Sequence, residues 1–553
     1  MSDLASGLVT VGTLVAALAL AYKPLGDYMA RVFTSDKHLR LERGLYRVFR
    51  VDPSSEQRWP TYALGVLGFS LVSVVFLYLL QRLQSLLPLS LGRGSVDPGI
   101  AFNTAVSFVT NTNWQSYVPE TTMGHLVQMA GLTVQNFLSA GVGLAVAIAL
   151  VRGFTRSRTD RLGNFWVDLT RGTVRILLPL SFVFAIVLIA LGVTQSLRSG
   201  VTVTGLDGSQ STISLAPTAS QEAIKELGTN GGGIFNANSA HPFENPSAWT
   251  DLIEIFLLLV IPVSLTRTFG KLVGNPKQGY VLLSVMGLLW TFVLSVTWWA
   301  ESHPNGPAAL LAGANLEGKE QRFGIGASSL FATSTTGTST GAVNSMHDSY
   351  SGLGGGMPLL HILFGEVSPG GVGTGLYGIL VMAIIAMFLA GLMVGRTPEY
   401  LGKKLGRREV TAAAISMLAM PTVVLLGAGA ALIIPGTTSA LGNSGAHGLS
   451  EVLYAYASTG NNNGSAFAGI TVTDGWFQSS LAVAMLIGRF VPIIAVLCLA
   501  GSLAAQKKVP ETAGTLPTTG PLFGSVLAGT IVLVAALTFV PALALGPIAE
   551  AMA

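Results

Sequence analysis

The chain alternates long apolar stretches with polar segments from one end to the other. About 20 consecutive apolar residues are enough to span a bilayer. Ten stretches approach or exceed that length: 4–22, 62–82, 126–151, 174–195, 250–268, 279–300, 374–395, 411–434, 480–504 and 523–546. Before the seventh stretch, the segment "MPLLHILFGEVSPGGVGTG" predicts the first half of a long helix that is broken at 369–371. The pattern predicts an all-α polytopic membrane protein with ten transmembrane helices.

Lysine and arginine are concentrated in alternate loops. The segments 23–60, 151–175, 266–279, 396–410 and 505–510 contain 24 of the 31 basic residues. Because such an excess marks the cytoplasmic loops of membrane proteins, we expect these segments in the cytoplasm and both termini outside.

The loops of the opposite side are long and share one pattern. Each of the segments 83–125, 196–249, 301–373 and 435–479 contains a short apolar stretch followed by a run of Thr, Ser, Asn and Gly. A pattern that recurs along a chain indicates an internal structural repeat. We therefore expect four fused helix–pore-loop–helix repeats around a pseudo-fourfold axis, with one flanking helix at each end. The expected units are an N-terminal helix and loop (1–60), repeats 1 to 4 (61–152, 173–271, 279–396 and 410–506) and a C-terminal helix (520–553).

Composition supports this interpretation and excludes others. Half of the 553 residues are hydrophobic and only 10% are charged, whereas soluble domains carry about a quarter charged residues. The net charge of +4 reflects the basic loops, so we expect membrane lipid and no nucleic acid as surroundings. The single cysteine, Cys498, lies in an apolar run and cannot form an intrachain disulfide.

The polar runs indicate an ion site of neutral oxygens. Irregular backbone at membrane depth is tolerated only where it is buried or lines a water-filled cavity. Glycine adopts the backbone angles that point carbonyl oxygens at one axis, as in potassium filters. The runs contain no carboxylate, which Mg²⁺ or Ca²⁺ would require. They predict a filter for a monovalent cation, and the alternative is that they are flexible loops outside the membrane.

Several strings resemble those of one family. They are "VTNTNWQSYVPE", "LGTNGGGIFNANSAHPFENP", "TSTGAVNSMHDS", "FGEVSPGGVGTGLYG", "GRTPEYLGKKLG" and "STGNNNGSAFAG". The chain resembles the KdpA family of the bacterial Kdp complex, within the superfamily of potassium transporters, from its first helix to its last. The resemblance implies K⁺ as transported ion, no covalent cofactor, an inner-membrane location, and partners that are a KdpB-like P-type ATPase subunit, which alone uses ATP, and KdpC-like and KdpF-like subunits.

The resemblance also implies filter positions, which we call strips 1 to 4. They are Thr110, Asn111, Thr112 and Asn113 in strip 1; Thr229, Asn230, Gly231 and Gly232 in strip 2; Thr338, Ser339, Thr340 and Gly341 in strip 3; and Asn461, Asn462, Asn463 and Gly464 in strip 4. Asn113 stands where the other strips have glycine, so the pore is not expected to be strictly fourfold. Gln115 follows strip 1, and is expected either to contact the filter or to brace its backbone.

Ionisable residues at membrane depth are candidates for the ion path. Glu366 precedes the seventh stretch, Arg396 closes it and Arg489 interrupts the ninth. The resemblance implies that they line or gate the path from filter to ATPase subunit. The alternatives are a positive-inside anchor for Arg396 and a structural pair for Arg489.

Four residues after the strips raise a further question. His241 and His347 have Glu244 and Asp348 nearby, but their spacing matches no metal-site pattern. We expect loop hydrogen bonds for the histidines, and carboxylates that attract cations to the pore mouth.

The chain has no signature of its own catalysis. It contains neither the phosphate loop G-x-x-x-x-G-K-[ST] nor the D-K-T-G-T motif of P-type ATPases, and it has no hydrolytic cluster. The expected function is the K⁺-selecting, non-catalytic subunit of an ATP-driven uptake pump. The alternative is a self-sufficient channel or ion-coupled transporter of the Trk/Ktr kind. The third hypothesis, a membrane-embedded enzyme, is disfavoured by the missing catalytic cluster.

Overall fold

A computed structural model describes residues 3–303, 310–311, 314–510 and 515–552 of the chain. Within them the helices are α1 (Asp3–Thr34), α2 (Arg40–Val48), α3 (Trp59–Arg82), α4 (Pro98–Val109), α5 (Pro119–Thr122), α6 (Val134–Thr155), α7 (Phe165–Arg171), α8 (Leu178–Ala190), α9 (Thr218–Leu227), α10 (Ala248–Leu272), α11 (Pro276–Glu301), α12 (Gly324–Gly337), α13 (Gly352–Leu363), α14 (Thr374–Val394), α15 (Arg407–Ile433), α16 (Gly445–Gly460), α17 (Gly475–Ala505), α18 (Pro521–Leu545) and α19 (Pro547–Met552).

Three small antiparallel pairs of strands lie in the connections. They are β1 (Gln57–Arg58) with β2 (Arg161–Gly163), β3 (Gly200–Thr204) with β4 (Gln210–Ser214), and β5 (Glu399–Tyr400) with β6 (Lys403–Lys404). None of these pairs belongs to the apolar spans, so the protein is built from helices.

Ten helical spans in the described part of the chain are long and apolar enough to cross a membrane, as the hydrophobic pattern predicts. They are Leu4–Thr34, Trp59–Arg82, Val127–Thr155, Phe165–Ala190, Ala248–Leu272, Pro276–Glu301, Thr374–Val394, Arg407–Ile433, Gly475–Ala505 and Pro521–Leu545. The third and fourth spans include short π-helical segments at Val127–Thr133 and Gly172–Leu177. The prediction of an all-α membrane protein with ten spans is confirmed.

Two predicted helix bounds are wrong. The first span continues twelve residues past the predicted end at 22, and the fourth begins at Phe165 and not at 174, which leaves the predicted boundary of repeat 2 inside a helix. Both errors come from charged residues read as loop. Asp168, for example, lies within the fourth span, and its buried carboxylate is bound by Arg152, with Oδ2 to Nη1 at 2.5 Å.

The spans divide into an inner and an outer set. Most residues of Val127–Thr155 and Ala248–Leu272 are buried, whereas only a small share of the apolar stretches within Leu4–Thr34 and Phe165–Ala190 is buried. Four short helices, α4, α9, α12 and α16, lie between spans. The first three pack against the inner set, and α16 packs against α15 and α17. The C-terminal ends of the four short helices carry the four strips.

Candidate functional site: four strips at the ends of short helices

Each strip begins where a short helix ends. Helix α4 ends before Thr110, α9 before Gly228, α12 before Thr338 and α16 before Asn461. The strip residues are buried, except Gly341 and Gly464, which are half-buried. The C-terminal end of a helix carries a partial negative charge. Four such ends directed at the strips favour a cation between them.

The strips share an unusual backbone. Left-handed φ values occur at Asn111 (66°), Thr229 (49°), Ser339 (56°) and Asn462 (57°). Two residues later they recur at Asn113 (59°), Gly231 (106°) and Gly464 (100°). Left-handed backbone is rare outside glycine. Strips 1, 2 and 4 have both left-handed residues and strip 3 has the first of them, so the four strips share a common conformation.

The alternation also fixes how strip 2 aligns with the others. Its left-handed residues, Thr229 and Gly231, correspond to Asn111 and Asn113 of strip 1. Gly228 is therefore the counterpart of Thr110, and strip 2 is shifted by one residue from the alignment inferred from the sequence. In this alignment the positions equivalent to Asn113 are Gly231, Gly341 and Gly464, so the other three strips have glycine there, as expected.

Strip 2 contacts strips 1 and 3. The amide of Asn111 donates to the carbonyl oxygen of Thr229 at 2.8 Å. On the other side, the backbone N–H of Gly341 donates to the carbonyl of Asn230 at 3.1 Å. Strip 2 therefore lies between its neighbours in chain order.

Strip 4 closes the ring. The amide of Asn462 donates to the hydroxyl oxygen of Thr112 in strip 1 at 2.9 Å. Toward strip 3, a methyl group on Gly341 would lie 2.9 Å from the carbonyl carbon of Gly464. The order around the ring is 1, 2, 3, 4 and back to 1.

Gln115 connects strip 1 to the residue after strip 2. Its Oε1 accepts from the N–H of Gly233 at 3.0 Å, and its Nε2 donates to the carbonyl of Gly233 at 3.1 Å. Of the two roles expected for Gln115, these contacts correspond to bracing the backbone.

Behind strip 2 lies a charged network that the sequence analysis missed. Lys225 on α9 is fully buried, and its Nζ lies 2.8 Å from Glu222, 3.3 Å from Glu226 and 3.1 Å from Glu244. The other oxygen of Glu244 accepts from the N–H groups of Ile234 and Phe235, both at 3.0 Å. The signal was available, because lysine and two glutamates in a ten-residue helix of so apolar a chain must find partners.

The same lysine reaches strip 2 through one residue. Lys225 donates to Oδ1 of Asn238 at 3.0 Å, and Nδ2 of Asn238 donates to the carbonyl of Gly231 at 2.8 Å. The network therefore fixes the orientation of a peptide group within the strip.

The segment that interrupts the broken helix contacts strips 2 and 3. Helix α13 ends at Leu363, α14 begins at Thr374, and the segment between them is not helical. Within it, the N–H of Val372 donates to the hydroxyl of Thr229 at 2.9 Å, and the N–H of Gly370 donates to the carbonyl of Gly337 at 2.7 Å. The segment therefore packs against the ring of strips.

Two of the three ionisable candidates lie at this level. Glu366 is buried and, together with Asn461 and Asn462, lines a cavity of about 100 Å³. Arg489 is 3% exposed and donates from Nη2 to the carbonyl of Ser139 at 3.1 Å. Arg396 lies apart from them, exposed just beyond the end of α14.

The histidines after strips 2 and 3 have ordinary contacts. The ring of His241 stacks on that of Phe235 with centroids 4.0 Å apart, and Nδ1 of His347 lies 3.0 Å from the hydroxyl of Tyr454. Glu244 is fully buried against Lys225, so the expectation that it attracts cations at the mouth is wrong. Asp348 is paired with His447, at 3.1 Å.

Two groups of side chains in the described residues have ligand atoms close enough for a metal ion, namely Asp348, His447 and Glu451, and Glu222, Glu226 and Glu254. Both ring nitrogens of His447 already face carboxylate oxygens, and Lys225 occupies the space between Glu222 and Glu226. Neither group makes a stronger cation site than the ring of strips.

Comparison with known proteins gives a single consistent result. Residues 12–552 match the family model described as KdpA, potassium-transporting ATPase A subunit. A protein of Rhodococcus erythropolis named potassium-transporting ATPase potassium-binding subunit is 64% identical over 99% of both chains. Proteins of the same name from Mycobacteroides abscessus and Streptomyces coelicolor are 61% and 59% identical over the whole of both chains.

Proposed function

Because the chain belongs to the KdpA family of potassium-transporting ATPase A subunits, we propose that it selects and translocates K⁺ as the non-catalytic subunit of an ATP-driven uptake pump. K⁺ enters from outside through the four strips and passes toward a partner that hydrolyses ATP. The partner is a KdpB-like P-type ATPase subunit, and KdpC-like and KdpF-like subunits complete the complex. The complex resides in the bacterial inner membrane, with both termini of this chain outside.

The observation that carries the proposal is the closed ring of strips. Four short helices direct their C-terminal ends at one place, and the strips after them contact each other in chain order. Carbonyl and hydroxyl oxygens replace the hydration shell of K⁺ in such filters, and the strips offer these oxygens without any carboxylate. The ring is therefore suited to a weakly hydrated monovalent cation.

The proposed filter consists of the sixteen residues of the strips, with Gly228 at its inner edge. The four repeats surround it, and the first and last spans flank them. Below it, the ion path runs past the segment 364–373, where Glu366 and Arg489 set the electrostatic potential. Arg396 lies at the cytoplasmic end of the same repeat.

The test is purification of the chain in mild detergent from potassium-starved cells, followed by an assay of ATP hydrolysis by the material that co-purifies. We expect hydrolysis that K⁺ stimulates and Na⁺ does not. The same membranes with the ATPase partner deleted should lose K⁺ uptake while this chain is still present.

The Trk/Ktr alternative predicts the opposite result. A self-sufficient channel or ion-coupled transporter would continue to take up K⁺ without the ATPase partner. Retention of uptake in the deletion strain would overturn the proposed dependence on ATP.

A further inference from the structure

A polar cavity lies far from the strips, between the ends of the helices that carry the basic loops. It has a volume of about 560 Å³ and is lined by the C-terminal ends of α1 and α6 together with α7. The hydroxyl-bearing residues Thr34, Ser35, Ser54 and Ser55 belong to the lining. Along α6, Ser139 contacts strip 1 whereas Arg152 lines the cavity, a separation of about 20 Å at 1.5 Å per residue.

Arg171 is the residue that needs explanation. It lines the cavity, it is 6% exposed, and its Nε is buried without a hydrogen-bond partner. Among the residues that the structure describes, its guanidinium has no hydrogen bond and no ion pair. A buried charge without a partner is costly, so a site that keeps one is built for a counter-ion.

The acidic residues around the cavity do not neutralise Arg171, because they are already paired. Glu42 is bound by Arg175, with Nε to Oε1 at 2.5 Å. Asp168 is bound by both terminal nitrogens of Arg152, at 2.5 and 2.8 Å. Glu56 is bound by both terminal nitrogens of Arg156, at 2.6 and 3.1 Å.

Two further ionisable side chains contribute to the charge of the cavity. Asp36 lines it as an exposed residue of the rim, without an ion pair to Arg171. His38 also lines it, and burial, followed by the positive charge of Arg171, lowers the pKa of this histidine. Glu42 also interacts electrostatically with Arg171, but its carboxylate is bound to Arg175, so within the described residues no carboxylate contacts the guanidinium of Arg171.

We propose that this cavity binds a phosphate-type anion, with the guanidinium of Arg171 as its charged anchor. The planar guanidinium donates two parallel hydrogen bonds to phosphate oxygens, and the hydroxyl groups of Ser35 and Ser55 supply further donors. Those of Thr34 and Ser54 already donate to the carbonyl of Ala30 and to Asp52. The chemistry is shared by a free phosphate and by the headgroup of an anionic lipid. The inference goes beyond the proposed function, because the site is separate from the K⁺ ring and serves another ligand.

The test uses the whole purified complex in a zwitterionic or uncharged detergent. In one arm the thermal midpoint is measured against inorganic phosphate at constant ionic strength, with chloride as the balancing anion. In the other arm the micelles contain phosphatidylglycerol or, for comparison, phosphatidylcholine. Binding to the folded state alone raises the midpoint and saturates. A rise in the first arm identifies free phosphate, and a rise only with phosphatidylglycerol identifies a lipid headgroup.

The variant that tests the anchor is Arg171→Gln, and its matched control is Arg158→Gln. Arg158 is an exposed arginine of the neighbouring loop that does not line the cavity. We expect the midpoint response to need at least roughly tenfold more ligand in Arg171→Gln, because the substitution removes the positive charge and both hydrogen bonds of the guanidinium. Arg158→Gln should respond as the native complex does.

Two outcomes overturn the proposal. One is the absence of a saturable rise in both arms for the native complex, and the other is the same rise in Arg171→Gln as in Arg158→Gln. If Arg171→Gln does not fold, Ser55→Trp at the exposed rim replaces it. This variant should abolish the response without touching Arg171, and an undiminished response would equally exclude the cavity.

Discussion

The two glycines of strip 2 differ in what a side chain would meet. Gly231 has a φ of 106°, and a methyl group there would lie 2.2 Å from the backbone nitrogen of Gly341. Gly232 does not have left-handed backbone, and a methyl group there would meet the ring of Phe108 at 2.5 Å. The conformational demand therefore falls on Gly231, one residue earlier than the sequence alignment places it.

Substitution of Gly231 tests the proposed filter at the scale of one residue. We expect Gly231→Ala to weaken K⁺ affinity and K⁺ over Na⁺ discrimination, because both the left-handed angle and the contact with strip 3 oppose a Cβ. The measurement is ATP hydrolysis by the complex as a function of K⁺ and Na⁺. Gly208→Ala is the matched control, since it has a φ of 81° with nothing within 4 Å. Equal K⁺ and Na⁺ dependence in the two variants would contradict the assignment of Gly231.

Substitution of Glu366 tests the proposed ion path that follows the ring of strips. Glu366→Gln keeps the shape of the side chain and removes its ability to ionise at membrane depth, where such groups mark ion pathways. We expect several-fold slower K⁺-stimulated turnover with nearly unchanged K⁺ affinity, since the filter itself is intact. Glu317→Gln, at an exposed loop position, is the control. A variant whose turnover matches this control would remove Glu366 from the path.

At the scale of elements, helix α9 is unusual because it places charge in the interior. Lys225 faces three buried carboxyl groups, and Glu254 of α10 adds a fourth buried one nearby, whose oxygens have no hydrogen bond within the described structure. The single ammonium group holds the helix, the loop after strip 2 and the strip itself in one arrangement. Removal of this ammonium group leaves the buried carboxyl groups without a compensating positive charge.

We expect Lys225→Met to destabilise the protein by about 3–5 kcal/mol, as breaking a buried ion pair usually does. K⁺ affinity should fall as well, because Asn238 loses a partner and no longer fixes the carbonyl of Gly231. Thermal unfolding of the purified complex and its K⁺ dependence measure the two effects. Lys277→Met removes an exposed lysine and should change neither. If Lys225→Met unfolded at the same temperature as Lys277→Met, the network would have no structural role.

The sequence predicts elements well where one physical property decides them. The length of the apolar stretches alone locates the ten spans, and the unusual runs of Gly, Thr and Asn locate the strips. The start of the fourth span is missed because Asp168 and Arg171 read as loop residues, although Arg152 binds the carboxylate of Asp168 in the folded chain. The alignment of strip 2 is missed because it depends on φ angles, which residue types specify only weakly at Thr229. The pairing of Lys225 with Glu244 is missed because the fold of the loop after strip 2, and not sequence spacing, brings Glu244 to the lysine.

At the scale of the whole molecule, the proposed orientation assigns every loop to one side. Single cysteines in a Cys498→Ala background should therefore react according to side. We expect Ser439→Cys, exposed between α15 and α16, to react with a membrane-impermeant maleimide in intact cells. Ser54→Cys, exposed in the basic loop after α2, should react only after permeabilisation. The reverse pattern would invert the orientation, and with it the direction of K⁺ entry.

One histidine links the C-terminal helix α19 to the segment after strip 3. His447, in the first turn of α16, lies between Asp348 after strip 3, at 3.1 Å, and Glu550 on α19, at 2.9 Å. Glu451 lies close to the same group but is engaged by the N–H of Gly442 and the amide of Asn443. The hydrogen bonds to the two carboxylates raise the pKa of His447 to about 10.

This raised pKa makes the attachment of α19 depend on pH. Because the folded value lies above the unfolded value of about 6.5, the stabilisation is fully present below pH 6.5 and is lost as pH rises toward 10. We expect amide hydrogen exchange in Pro547–Met552, corrected for its intrinsic pH dependence, to lose protection over this window. In His447→Gln, which cannot be charged, protection should be lower at pH 6 and should not change across the window. His303→Gln, an exposed histidine elsewhere, should behave as the native protein. Equal protection of α19 in His447→Gln and His303→Gln at pH 6 would mean that the contacts of α19 with the rest of the protein hold it without the histidine.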